Sequence, residues 1–513
     1  MYKLWMNGLI YSLNDENTTY SAMLTFNDKI IAVGSEKELI GINDSPVEII
    51  DLKNHCVIPS FIDSHIHLIG HGDMLTKVDF SIYKEKRAVL NKIKEIAKQM
   101  SPSDWLIVEG WNEENFIDDP TKITKQDLDS LNLNVRVCAK RICRHCMTIN
   151  SVGLNHLNIK STDGIFYDEE QFKLLLQLEK RTKNSLKQSL YAAIDDLRKY
   201  GITEVHTEDL NYYGDALLTL EALEEVSKEK NFPMQLLVHH EAYSEIKSKN
   251  LKHFKNYSRI QLGAIKLFAD GSLGAKTALL SHTYENENHQ GEEVMSLDEI
   301  QEVIKVARKN HLPVAIHAIG DLAVQHVLTS IKKYPRTKET VGKDRLIHAQ
   351  IINNHILTQY KDLDICVDLQ PSFIGSDYPW LLNRIGKSRA AYAFAFKYML
   401  NNGWGCSFSS DSPIDTVSPF EGIYYAVIRE KNGVVYNADQ CLSVLEAVKL
   451  YTQGAANSMQ GEFKKGVLKA GNDANFLLLN KDIFKIKHEE ITSLEVLATI
   501  FEGEFVYKKE TVL

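Results

Sequence analysis

The central part of the chain alternates short apolar runs with longer stretches in which apolar residues recur at helical spacing. Eight runs read as strands: VIPSFIDSHIHL, GITEVHTED, MQLLVHHEA, LGAIKLFADG, LPVAIHAIGD, RLIHAQ, ICVDLQPSF and GCSFSSDSP. The segments between them read as helices. SLDEIQEVIKVARKN, ahead of LPVAIHAIGD, sets its apolar residues on one face and its charges on the other. Eight strand and helix units in alternation predict an α/β fold built on a (β/α)8 TIM barrel.

Both ends of the chain show a different pattern. The first 57 residues break into KLWMNGLIYSL, SAMLTFNDKIIAVGS and VEIIDLKNHCVI, with turns at Asn27-Asp28 and Lys53-Asn54. GVLKAGNDANFLLLN and ATIFEGEFVYKK, near the other end, repeat this grammar of short strands and Gly/Asn turns. Chain termini often lie close together, so residues 1–57 and 464–513 are expected to form one discontinuous β domain around a barrel of residues 58–80 and 186–463. More than a hundred residues separate the first two barrel strands, far too many for an ordinary connection. Residues 81–185 are therefore expected to be an inserted cap segment with structure of its own, placed to cover the barrel mouth. Its elements are strands in WLIVEGW and VRVCAKRI and an amphipathic stretch, EEQFKLLLQLEKRTKNSLKQSLYAAIDDLRKY.

Composition narrows the class. A hydrophobic share of 44% and a charged share of 25% suit a globular chain and exclude disorder or a coiled coil. Lys and Arg number 59 against 68 Asp and Glu, a net −9 spread without a basic stripe, so nucleic acid is not the expected partner. Seven scattered cysteines form no disulfide framework and suggest a reducing compartment. No cleavage site of small residues follows the N-terminal apolar residues, and no run approaches the ~18 apolar residues of a membrane span. The expectation is a cytoplasmic protein with a small-molecule substrate and no membrane partner, for which a homodimer remains compatible.

Most of the predicted strands end in a polar residue able to bind a metal, and the C-terminal strand ends of a barrel face one side, where active sites are built. His65 and His67 close the first strand, Lys266 lies in the fourth, His317 ends the fifth, His348 the sixth and Asp411 the eighth. The period-two pair His65-x-His67 leaves the same face of a strand, its members ~6–7 Å apart along it, close enough to grip one cation. A lone H-x-H is more often a pair of hydrogen-bonded histidines; strand-end partners shift the balance toward a metal. Lys266 follows an apolar run and reads either as a salt-bridged or snorkelling lysine or as a carbamate-forming amine. Asp411, beside three serines, reads as an N-cap or as a metal ligand and general base.

The sequence resembles the amidohydrolase superfamily and, within it, amidohydrolase family 3, the YtcJ-like metal-dependent hydrolases, a branch that includes proteins similar to N-substituted formamide deformylases. The likeness runs over essentially the whole chain. VIPSFIDSHIHL, AIKLFADGSLGAKTALL, HAIGD, RLIHAQ and FSSDSPID carry it, and TFNDKIIAVGS and GVLKAGNDANFLLLN resemble the family's composite β-sandwich. Ser60 stands where a Gly is usual, and Asn475 where an Asp is common. The resemblance implies two divalent metal ions, usually zinc: one on His65, His67 and Asp411, a second on His317 and His348, and a carbamate on Lys266 bridging them. It implies hydrolysis of a non-peptide C–N bond, amide or formamide-like, by a metal-activated hydroxide, with Asp411 as the catalytic proton carrier. Deaminase, isomerase and decarboxylase reactions occur on related folds, and a scaffold that has lost catalysis is a further alternative.

Other motifs carry less. Cys143-Arg-His-Cys146 lacks a second cysteine pair at finger spacing and reads as structural. In the family's pattern, its His145 would face the substrate. Asp270 would orient a ligand, while Trp111, Phe373 and Trp380 would line an apolar pocket. Gly271 to Thr277 lacks the Gly-Lys-Thr order of a phosphate loop. His206, His239 and His240 read as pocket lining or core.

Overall fold

Eight parallel strands run through the centre of the first of two units in a computed structural model that describes residues 1–513 apart from 15–17, 43–45, 77, 99, 103, 143–145, 179–180, 249–258, 460–464 and 511–513. In chain order they are Phe61–Ile66, Ile202–Thr207, Met234–His239, Ile260–Phe268, Val314–Ala318, Asp344–His348, Ile365–Leu369 and Gly405–Phe408. Six of the eight lie wholly within the runs read as strands from the sequence, and the other two begin just ahead of theirs, at Ile260 and Asp344. Each pairs in parallel with the next. The eighth is bridged back to the first at the C-terminal ends, where Asp411 N–H donates to the His65 carbonyl at 2.8 Å and His67 N–H to that of Ser412 at 2.9 Å. An almost closed barrel results. Its strands are apolar nearly throughout because side chains inside pack on one another, as Leu237, Ala264, Ala315 and Ile347 do, while those outside meet helices.

The terminal segments share one sheet. Phe476–Leu479 pairs antiparallel with Cys56–Pro59 in a six-stranded sheet that also holds Val496–Phe501, Glu504–Lys508, Leu9–Tyr11 and Thr19–Tyr20. A four-stranded sheet of Lys29–Gly34, Ala22–Phe26, Tyr2–Met6 and Val47–Asp51 accompanies it. Trp5, Met23 and Ile30 of that sheet share a core with Phe476, Leu478 and Ile500 of the other. The two departures from the family pattern have local partners: Ser60 Oγ bonds Thr203 Oγ1 at 2.7 Å, and Asn475 Oδ1 accepts from Glu502 N–H at 2.8 Å.

The second unit comprises Gly72–Ala192 and Tyr212–Thr219, wider than the 81–185 segment read from sequence. Its sheet orders Ile165–Tyr167, Cys146–Ile149, Arg136–Arg141 and Trp105–Trp111. The long amphipathic stretch divides into helices Asp168–Leu178 and Lys183–Lys199. Trp111 is fully buried in this unit's core with Phe80, Ile93, Val108 and Val137. Among the described residues no helix is long and apolar enough to cross a membrane.

Candidate metal centre

At the C-terminal end of the barrel, strand ends deliver side chains to one buried spot. Nitrogen and oxygen atoms of His65, His348 and Asp411 lie within 4.8 Å of one another, and so do those of His65, His67 and Glu208. Asp411 Oδ1 is 3.3 Å from His65 Nε2 and 3.4 Å from His67 Nε2. The backbone that presents these groups is unusual. His348, Ala349 and Asp411 have φ of +76°, +44° and +56°, conformations that cost non-glycine residues about 1–3 kcal/mol and cluster at functional sites.

Neighbours fix the rings. His67 Nδ1 lies 2.8 Å from the Glu208 carbonyl, and His348 Nδ1 lies 2.8 Å from Gln370 Oε1. An acceptor at Nδ1 places the proton there and leaves the Nε2 lone pair for a cation. His317 differs: its Nε2 bonds the Gly271 carbonyl at 3.0 Å, which leaves Nδ1 as the donor atom. His317 joins neither convergent group, although its ring centroid is 4.6 Å from that of His348.

Burial, with the Lys266 charge nearby, holds His65 and His348 well below the ordinary imidazole range and lowers His317 to about 4. Three neutral rings are the ligating form. His67 is the exception. Burial alone would lower it, but the Asp411 carboxylate 3.4 Å away, with Glu208 and Asp209 behind, raises it to about 9. The donor set fits a divalent cation, since His65 Nδ1 and Asp411 Oδ1 are buried without a hydrogen-bond partner and a carboxylate among imidazoles is a common cation cradle.

Lys266 Nζ lies 2.7 Å from Glu208 Oε2, and both side chains are sealed from solvent. The structure therefore pairs this lysine with a carboxylate that the sequence reading did not single out. Glu208 follows the second strand in HTED, so the strand-end rule that found the histidines could have found it. Phe373 stacks on His348, with centroids 6.2 Å apart and planes 13° from parallel. Asp270 is braced by the N–H groups of Leu279, Ile319 and Gly320 at 2.8, 3.0 and 2.8 Å, and its Oδ1 lies 3.6 Å from Nε2 of His317. Trp111 lies in the core of the second unit instead of on a pocket wall. His145 and the Cys143 end of its motif lie outside the described residues.

Comparison with known proteins decides the family. The model of the amidohydrolase family matches residues 48–507. The chain belongs to the amidohydrolase family. It is 37% identical over 99% of its length to the whole of "Putative amidohydrolase YtcJ" of Bacillus subtilis (strain 168). It is 25% identical to the N-substituted formamide deformylase of Arthrobacter pascens, with 98% of each chain covered. Among solved structures, an uncharacterized metal-dependent hydrolase from Pyrococcus furiosus superposes with a TM-score of 0.81 at 31% identity, over 94% of this chain and 100% of the other.

Proposed function

We propose that this family member is a metal-dependent hydrolase that cleaves a non-peptide carbon–nitrogen bond in an amide or formamide-like small molecule. The observation that carries the reading is the convergence at the strand ends of two groups able to hold a cation, one of His65, His348 and Asp411 and one of His65, His67 and Glu208. The full-length likeness to a formamide deformylase supports the bond class. Two divalent ions, zinc in the first instance, held by His65, His67 and Asp411 and by His317 and His348, would supply acidified water and a polarised carbonyl. Asp411 then has the position to take the proton of the attacking water and pass it to the departing nitrogen. Carbamate formation at Lys266 Nζ would replace a cation by an anion beside Glu208, turning attraction into repulsion, so it would need the bound ions to offset the charge.

Incubation of the metal-loaded protein with a panel of N-formyl and N-acyl amines tests the reading. The expected products are a free amine with formate or carboxylate, and Asp411→Asn is expected to lower turnover at least ~100-fold. Release of ammonia from an aminated ring, or of carbon dioxide, from substrates of those kinds would move the protein to another reaction type.

A further inference from the structure

The left-handed backbone at Asp411 must be held by its neighbours, and two side-chain links flank it. On one side, Ser410 Oγ donates to Asp63 Oδ2 at 2.5 Å while Ser410 N–H donates to Asp63 Oδ1 at 3.1 Å. On the other, Ser412 Oγ lies 2.9 Å from His71 Nδ1, and His71 Nε2 lies 3.2 Å from Asp196 Oδ2. Asp196 only accepts, so the Nε2 of His71 carries a proton toward it, and Nδ1 faces the Ser412 hydroxyl. His71 Nδ1 and Nε2 are thereby both used.

An aspartate, a histidine and a serine in series would suggest a nucleophile, but His71 and Ser412 are 1% and 0% exposed. No solute reaches that hydroxyl. Its place in the chain is what matters: Ser412 follows Asp411, and its carbonyl accepts from the N–H of His67. His71 also starts from His67, whose carbonyl accepts the His71 N–H at 2.8 Å. The link therefore spans from the H-x-H strand to the loop that bears Asp411.

We propose that His71 is a positioning residue of the metal centre: the Asp196–His71–Ser412 link holds the backbone at Asp411 so that its carboxylate faces His65 and His67. The inference rests on the metal-site reading above, and it concerns how one ligand is aimed.

Zinc affinity of the full-length protein, measured by competition with a chromophoric chelator, tests it. His71→Ala and Ser412→Ala are each expected to weaken zinc binding ~10-fold, the size typical of residues that orient a ligand. His71→Asn, which keeps a hydrogen-bonding group at the Nδ1 position, is expected to recover most of that loss. In an Asp411→Ala background, which leaves His65, His67 and Glu208 to bind zinc, the same changes are expected to shift affinity less than ~2-fold. Equal weakening in both backgrounds, or none in either, overturns the positioning role and leaves the metal site standing. Wild-type protein that binds no zinc overturns both. Should the His71 variants fail to fold, Ser412→Ala, which removes a single buried oxygen, gives the same readout.

Discussion

Two clusters of buried polar groups occupy the same barrel and differ in how completely they are satisfied. In the first, Arg345 Nε donates to Asp368 Oδ2 at 2.7 Å, Nη1 lies 3.1 Å from His206 Nδ1, and Nη2 donates to the Ser64 carbonyl. Asp368 Oδ1 accepts from Ser407 Oγ at 2.5 Å. Arg345 and Asp368 are both 0% exposed, and every polar atom named there has a partner. In the strand-end cluster, His65 Nδ1 and Asp411 Oδ1 have none, and the backbone of His348 and Asp411 is left-handed. Burial alone does not separate structure from function here. Between these two clusters it is the pairing that differs, although unpaired buried atoms such as Trp111 Nε1 also occur in structural core.

Breaking the satisfied cluster should have the largest effect on folding. Arg345→Met leaves the Asp368 carboxylate buried without its cation, and about 3–5 kcal/mol of stability should be lost in denaturant titration of the metal-free protein. His65→Ala makes the opposite case. It removes an unsatisfied ring nitrogen together with apolar contact, so the metal-free stability should fall by no more than about 1–2 kcal/mol. A loss at His65 as large as at Arg345 would erase the distinction between the clusters.

A pH series sharpens the comparison. Without metal, His67 is protonated below about 9, and ligation requires the neutral ring. Apparent metal affinity should therefore rise ~10-fold per pH unit as pH climbs toward that value and flatten above it, with one proton released per ion bound at this residue. A flat profile between neutrality and pH 9 would place His67 outside the ligand set. The smallest effect belongs to Trp111. Trp111→Phe should cost about 1–2 kcal/mol through packing in the second unit while leaving metal affinity unchanged. A change in affinity would return Trp111 to the site.

The eight strands were legible because each is an apolar run bounded by helical spacing, and the ligand candidates were legible because they punctuate those runs. Glu208 escaped notice for a physical reason. It sits among Thr207 and Asp209, where one more acidic residue looks like the start of a solvated loop, yet it is 0% exposed. Trp111 misled in the opposite direction, since a large aromatic at a strand end suits a pocket wall and a core equally well. The Asp270 motif identified an important carboxylate, but the three backbone N–H groups that brace it come together only in the fold. The His71 link joins residues 125 and 341 positions apart, from His71 to Asp196 and to Ser412, and no local pattern reports such a pairing.

Metal content of the purified protein tests the central claim most directly. The account predicts at least one divalent ion per chain by elemental analysis, lost on His65→Ala and reduced on His317→Ala. Less than one ion per chain, unaffected by either substitution, would contradict it.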